Sequence, residues 1–325
     1  MRKADTSGLY RFFRDPSEGE LVIGTYIYPV RLFGSPDFAD ASSATVVIRT
    51  ITIGLHDILV TRMGGVFVRP PGTLSDCRGP SGAHRSRVDT AAKLRYEEDV
   101  AAVFNRIICE LALLGTVSEP ASPVHIAHGQ LIDGHAVVGS APGGREVYLE
   151  RTLGPYLTLL ADHLRFWFVH PEDVLDQAAV QARTTVLASI SDSLPALVPG
   201  AYYYLSRRQP AEAVMDSWIV TEQILDYLWQ TYVSALLDHD RRERLSDSRT
   251  YIASVRTEVL HMAGVIDTSL YDAIHKARKH RNDLAHRAKI TLSAAIDCLT
   301  TMKAAIEFVC KTSVAEPDVG TGVNW

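Results

Sequence analysis

No run in this 325-residue chain approaches the roughly eighteen uncharged apolar residues at which a stretch begins to read as a membrane span. The first residues, MRKADTSGLYRFFRD, lack the apolar core of a secretory signal. Cysteine is scarce: Cys77, Cys109, Cys298 and Cys310 show no C-x-x-C spacing, and three of them fall in apolar helical patterns. Buried free thiols in a reducing compartment are therefore expected, rather than a disulfide framework or a thiolate metal site. Neither a Gly-rich phosphate loop nor a G-x-S-x-G elbow occurs. Excess positive charge is missing too: the net charge of −5 excludes a whole-molecule field favouring nucleic acid, so any such binding must rest on a local patch. A cytoplasmic protein without membrane association is the expectation.

What is present divides the chain in two. Leu21 to Val30, Ala44 to Ile53, Ile58 to Arg62 and Val66 to Arg69 are rich in β-branched and aromatic residues and predict strands. Pro70 to Arg87 reads as a loop. Asp89 to Leu114 predicts a long helix with Leu94, Ala101, Phe104, Ile108 and Leu111 on one face and Gly115 as its stop. Short strands follow at Val124 to Ala127, Ala136 to Val138 and Arg145 to Leu149, and Leu164 to Val169 closes the α+β part. His125, His128 and His135 cluster here, but no fourth ligand at a metal-binding spacing accompanies them, and no metal site is expected.

From His170-Pro171-Glu172-Asp173 onward the pattern is helical, since Pro171 suits a first turn and the two acids its positive end. Helices are expected at Glu172 to Ile190, Ser193 to Arg207, Pro210 to Leu237, Arg249 to Ala263, Leu270 to Lys289 and Leu292 to Lys311. HDRRERLSD reads as a charged turn, and Ile252, Val255, Val259 and Met262 are expected to point inward. Residues 1–170 thus form an α+β domain and 171–315 an antiparallel four-helix bundle, with 316–325 as a flexible tail.

The most informative stretch is AIHKARKHRNDLAHRAK, Ala273 to Lys289. Its apolar stripe is Leu270, Ile274, Ala277 and Leu284, and Arg281 falls within it, about 20° from the direction of Leu270. A charged side chain centred on an apolar face must be paired or used, because burying it alone costs about several kcal/mol. His286, the side chain type that titrates near neutral pH unaided, follows five residues later. Asn282 and Asp283 between them are poor helix formers and predict a bend. An arginine followed at this kind of spacing by a histidine occurs also at Arg49/His56, Arg78/His84, Arg165/His170 and Arg256/His261. About three such pairs are expected by chance, so context must choose. Only Arg281 lies centrally on an apolar face. Glu222 interrupts the stripe of the long helix, beside Trp218 and Leu225, and is the expected carboxylate partner of Arg281.

With RNDLAH at Arg281 to His286, WIVTEQILDYLW in the long helix and the four-helix layout, the region from Glu172 to Thr312 resembles a HEPN domain of the R-x4-6-H type. The resemblance implies a metal-independent endoribonuclease that works as a homodimer, with the motif of both subunits in one cleft and no cofactor. It also implies a toxin or antiphage defence role, with an antitoxin or a trigger-sensing partner. Arg281 and His286 would then be catalytic, with Asn282 orienting the arginine or the phosphate. Other members are inactive and serve as dimerisation or nucleotide-binding modules, which is the alternative reading. A third reading makes the N-terminal part a ligand-binding enzyme of its own, and no residue there specifies a reaction.

The chemistry suits the residues. RNA carries its own nucleophile, the 2′-hydroxyl, so cleavage needs a base, an acid for the leaving 5′ oxygen and positive charge at the phosphate. His286 can move protons at neutral pH, and the fixed donors of Arg281 match phosphate oxygens. On an unbroken helix the two side chains diverge by about 140°, so either the helix breaks at Asn282-Asp283 or two chains share the site. Around the motif Lys276, Arg278, Lys279, Arg281, Arg287 and Lys289 face Asp283, and Lys276, Lys279 and Arg287 are the expected RNA-backbone contacts.

Overall fold

The computed structural model describes residues 20–27, 31–33, 45–62, 64–70, 90–140, 168–170, 177–247, 249–287 and 290–316. They form two compact units: residues 1–108 with 121–181, and residues 109–120 with 182–325. Residues 109–120, the end of the first helix among them, group with the helical unit.

In the first unit, strands β1 (Glu20–Tyr26), β3 (Val47–Ile53), β4 (His56–Thr61), β5 (Gly65–Val68), β6 (Ala127–Ile132) and β7 (His135–Ser140) make one antiparallel sheet in the order β3-β4-β5-β1-β6-β7. β2 (Arg31–Phe33) pairs in parallel with β8 (Phe168–His170). The outer strands of the six-stranded sheet meet at one end. Val46 bridges to His135, Val47 N donates to Gly134 O at 2.8 Å, and Thr45 Oγ1 lies 3.0 Å from His135 Nδ1. Joining the edges there satisfies backbone groups that would otherwise invite another strand.

Turn chemistry explains the hairpins. Asp133 and Gly134 both take positive φ between β6 and β7, and Gly54 does so between β3 and β4, as two-residue turns that match strand twist require. Both faces of the sheet are buried: Val22, Leu59 and Phe67 on one, Ile23, Ile58 and Val68 on the other. Tyr26 and Phe67 pack edge to face at 6.0 Å.

Helix α1 (Thr90–Leu113) follows β5 in the chain. Ala101, Phe104, Ile108 and Leu111 are buried as expected, whereas Leu94, near the start of the helix, is half exposed. Gly115, with φ +88, ends it: Thr116 N donates to Leu111 O and Gly115 N to Ala112 O, the double bond of a Schellman stop. Val124 is not in a strand. Pro123–His125 forms a single 3-10 turn before β6, since Pro123 has no N–H to give a ladder. The expected strand at Arg145 to Leu149, the loop Pro70 to Arg87 beyond Pro70, and the tail beyond Glu316 lie outside the described residues.

The second unit is helical, and the helix that leads into it is α2 (Gln177–Ile190); α3 (Leu194–Ser206), α4 (Pro210–Ser234), α5 (His239–Leu245), α6 (Ala253–Met262), α7 (Thr268–Arg287) and α8 (Leu292–Cys310) follow. α4 is central and packs against α3, α6, α7 and α8, while α7 also packs on α6 and α8. The core gathers Tyr202, Trp218, Leu225, Trp229, Ile274 and Met302. Residues past α8 are docked: Val314 is buried, Ala315 N donates to Leu113 O and Val314 N to Glu307 Oε1.

Two helical expectations need correction. HDRRERLSD is not a turn, because Asp238 accepts from Arg241 N and caps α5, whose Leu245 is buried. On α6 the inward residues are Thr257 and Leu260, whereas Ile252, Val255 and Met262 are exposed and Val259 is only partly buried. Polar and aromatic contacts set the roll of this helix: Arg256 is ion-paired with Asp226 of α4, and Tyr251 stacks on Trp229 at 5.4 Å.

Candidate active site

The candidate site is built on α7. Asp267 Oδ1 accepts from Leu270 N at 2.8 Å and starts the helix. Leu270, Ile274 and Ala277 are buried, but Arg281 and Leu284 are half-buried and His286 is exposed. Burial fades toward the C-terminal end, which is why an arginine can occupy the apolar stripe without a buried partner. The helix is continuous from Thr268 to Arg287. The expected break at Asn282-Asp283 does not occur: an asparagine and an aspartate cost only a few tenths of a kcal/mol each in a helix interior, too little to end it.

On this unbroken helix the Cβ directions of Arg281 and His286 differ by about 140°. The guanidinium narrows that angle. Arg281 Nη1 donates to Asn282 Oδ1 at 3.3 Å, drawing the long side chain around the helix toward the direction of Asn282, which is about 40° from that of His286. Because a guanidinium only donates, this contact identifies Oδ1 as the acceptor and leaves the Asn282 amide group as a free donor. Glu222 is half-buried on α4, and among the described residues no hydrogen bond or ion pair joins it to Arg281. The expected carboxylate partner is not used, since the arginine's head is not buried.

The neighbouring cations differ in availability. Lys276 Nζ is 2.8 Å from Asp297 Oδ1 of α8, and His280 Nε2 is 3.1 Å from the other oxygen. Burial works to raise the Asp297 carboxyl, but the hydrogen bonds from Lys276 and His280 outweigh it and hold it below the ordinary range. Lys276 is thus paired at the surface. Lys279 is exposed, with no acid within ion-pair distance among the described residues. The Arg287 side chain and Lys289 lie outside the described residues.

Comparison with protein-family models, with characterised proteins and with solved structures finds no match.

A second cluster, not singled out in the sequence, adjoins the motif. Glu258 of α6 accepts from the Tyr271 hydroxyl at 2.7 Å, and His275 Nε2 approaches the same carboxylate oxygen at 3.2 Å. Tyr271 lies between two imidazoles, 4.4 Å from His261 and 4.5 Å from His275. The Tyr271 bond is the main cause that lowers the Glu258 carboxyl and raises the Tyr271 phenol from their ordinary values. Arg278 Nη2 lies 3.1 Å from His275 Nδ1. A spacing of i, i+3 and i+4 along α7 could have flagged His275, Arg278 and Lys279 together, whereas Glu258 and Asp297 come from other helices and carry no local signal.

His275, Lys276, Arg278, Lys279, Asn282 and Asp283 line a groove of about 530 Å3. The other arginine-histidine pairs are differently employed. Arg256 is held by Asp226 and His261 stacks on Tyr271, Arg49 and His56 sit on the hairpin β3–β4, and Arg78/His84 and the side chains of Arg165/His170 lie outside the described residues. His125 and His135 serve locally. His125 Nδ1 accepts from Ser122 N at 3.3 Å and His135 contacts Thr45, while the His128 side chain is outside the described residues. Among the described residues no three metal-ligating side chains converge, and no described helix is long and apolar enough to cross a membrane.

Proposed function

We propose that the helical unit is a HEPN-type antiparallel bundle and that the protein is a metal-independent endoribonuclease acting as a homodimer. The observation that carries this reading is the pairing of an exposed imidazole, His286, with a guanidinium that Asn282 draws toward the same side of one helix. Both groups can reach a phosphodiester. An inactive module built around a sealed Arg281 would instead need that residue paired to a buried carboxylate, and Glu222 does not supply one.

In the proposed reaction a neutral His286 removes the proton from the 2′-hydroxyl, whose oxygen attacks the adjacent phosphorus. The bond from phosphorus to the 5′ oxygen breaks, and that oxygen takes a proton from a second imidazole. Arg281 stabilises the charge that develops on the non-bridging oxygens. The products are a 2′,3′-cyclic phosphate and a 5′-hydroxyl. One chain supplies one His286, so the second imidazole comes from another copy across a two-fold axis. Leu292 and Ile296, one turn apart and half exposed at the start of α8, offer an apolar surface beside the motif for that contact. The role as a cytoplasmic toxin or antiphage effector, with residues 1–170 sensing a trigger or receiving an antitoxin, rests on the resemblance of RNDLAH and its helical setting.

The test is cleavage of RNA by the wild type, His286→Ala and Arg281→Ala in the presence of chelator. The wild type is expected to yield cyclic-phosphate ends. Each variant should lose about 100-fold or more in rate with its circular dichroism unchanged. Equal RNA integrity with all three folded proteins removes the proposal.

A further inference from the structure

We propose that the face of α7 turned away from the core is a track for the phosphodiester backbone of single-stranded RNA, leading along the groove to His286. This deepens the ribonuclease reading by naming how substrate is held. His275, Lys279, Asn282 and His286 stand at i, i+4, i+7 and i+11, within about 60° of one another around the helix and over about 16 Å of its length. The groove described above follows the first three of these positions. At about 3.4 Å or more of strand per nucleotide, that length takes a short run of nucleotides rather than one.

What the groove offers is donors. Arg278 uses one of its N–H groups on His275 Nδ1 at 3.1 Å, which makes that nitrogen the acceptor and puts the imidazole proton on Nε2, a buried nitrogen 3.2 Å from Glu258 Oε1 that makes no hydrogen bond among the described residues. Tyr271 holds the Glu258 carboxylate at 2.7 Å, while the contact with His275 positions the Arg278 guanidinium and leaves its remaining donors available. Lys279 has no acidic partner among the described residues, and Asn282 presents its amide group because its oxygen is taken by Arg281. Lys276 also lines the groove, with its ammonium paired to Asp297. Asp283 lines the groove as its one described acid and is already engaged in an interaction of its own. The Lys279 ammonium, the free N–H groups of Arg278 and the Asn282 amide suit anionic oxygens, so the grip on the strand comes mainly from its backbone phosphates.

The experiment uses the full chain and a fluorescent single-stranded 2′-O-methyl RNA, which lacks the attacking hydroxyl, with anisotropy read over a salt series. Arg278→Ala and Lys279→Ala are each expected to weaken binding about fivefold to tenfold at low salt and to reduce the log-log salt slope by about 0.7, equally for oligonucleotides of different sequence. Lys303→Ala, which removes a cation paired with Glu316 on α8, should change neither. Unchanged affinity and slope in both folded groove variants overturn the track. Cleavage of unmodified RNA, measured in parallel, separates the two readings. Wild type that cuts while both variants bind normally sinks the track and spares the nuclease. Binding that depends on Arg278 and Lys279 without any cutting spares the track and sinks the nuclease. Wild type that binds no RNA overturns both.

Discussion

Single side chains in this protein are decided by whether a partner lies within reach. Arg281 occupies a core direction of α7 yet turns to Asn282, while Lys276, one turn and a third earlier, is taken by Asp297. Asp216 shows the opposite case, an acid held where charge is unwelcome. Packing against α3 is so close that a Cβ on Gly200 would stand 2.5 Å from Asp216 Oδ2. Burial first, and then the charge of Glu212, push the Asp216 carboxyl up to about 6. Between its unfolded value near 4 and this folded value, the native chain keeps a proton that the unfolded chain has lost, so stability falls as pH rises through that window. Asp216→Asn should therefore be more stable than wild type at pH 7 by about 1 kcal/mol, once solvent screening of a half-exposed group is allowed for. At pH 4 the difference should vanish. Urea unfolding of both proteins at the two pH values reads it, and an equal difference at both excludes this role for the carboxyl.

At the scale of elements, helices and strands were legible where periodicity was strong and misread where a pairing elsewhere set the roll. α7 and its stripe of Leu270, Ile274 and Ala277 follow directly from 3.6-residue spacing. α6 does not, because its most apolar line, through Ile252, Val255 and Met262, faces away from the core, overruled by Arg256 on Asp226 and Tyr251 on Trp229. Asn282 and Asp283 do not break α7, because their unfavourable helix propensities are small beside the packing and hydrogen bonding of a twenty-residue helix. In the sheet, the close approach of β1 and β5 depends on Gly24, where an added Cβ would meet Val66 O at 2.3 Å and the Phe67 ring at 2.4 Å. Gly24→Ala is expected to cost about 3 kcal/mol of unfolding free energy through overpacking. Gly134→Ala, which meets no neighbour and only strains a positive φ, should cost about 1 kcal/mol. Denaturant titration of the two variants distinguishes contact from strain, and equal losses would contradict the packing argument.

For the whole molecule, the active assembly is expected to hold two copies of the chain, because one His286 cannot act as base and acid in the same step. Leu292→Glu with Ile296→Glu should convert a dimer in sedimentation to a monomer and reduce RNA cleavage about 100-fold, with helix content retained. A variant that stays dimeric and active would show that α8 does not make the contact. The alternation of strand and helix signals, the stop at Gly115 and the arginine-histidine spacing on α7 were all local properties, so the order of residues alone determined them. The closing of the sheet through Val46 and His135, the recruitment of residues 109–120 into the helical unit, the pairing of Lys276 with Asp297 and the hold of Tyr271 on Glu258 join residues of different elements. Only tertiary packing could decide those, since a charge or an unpaired backbone group is settled by whichever partner the fold brings within hydrogen-bond distance.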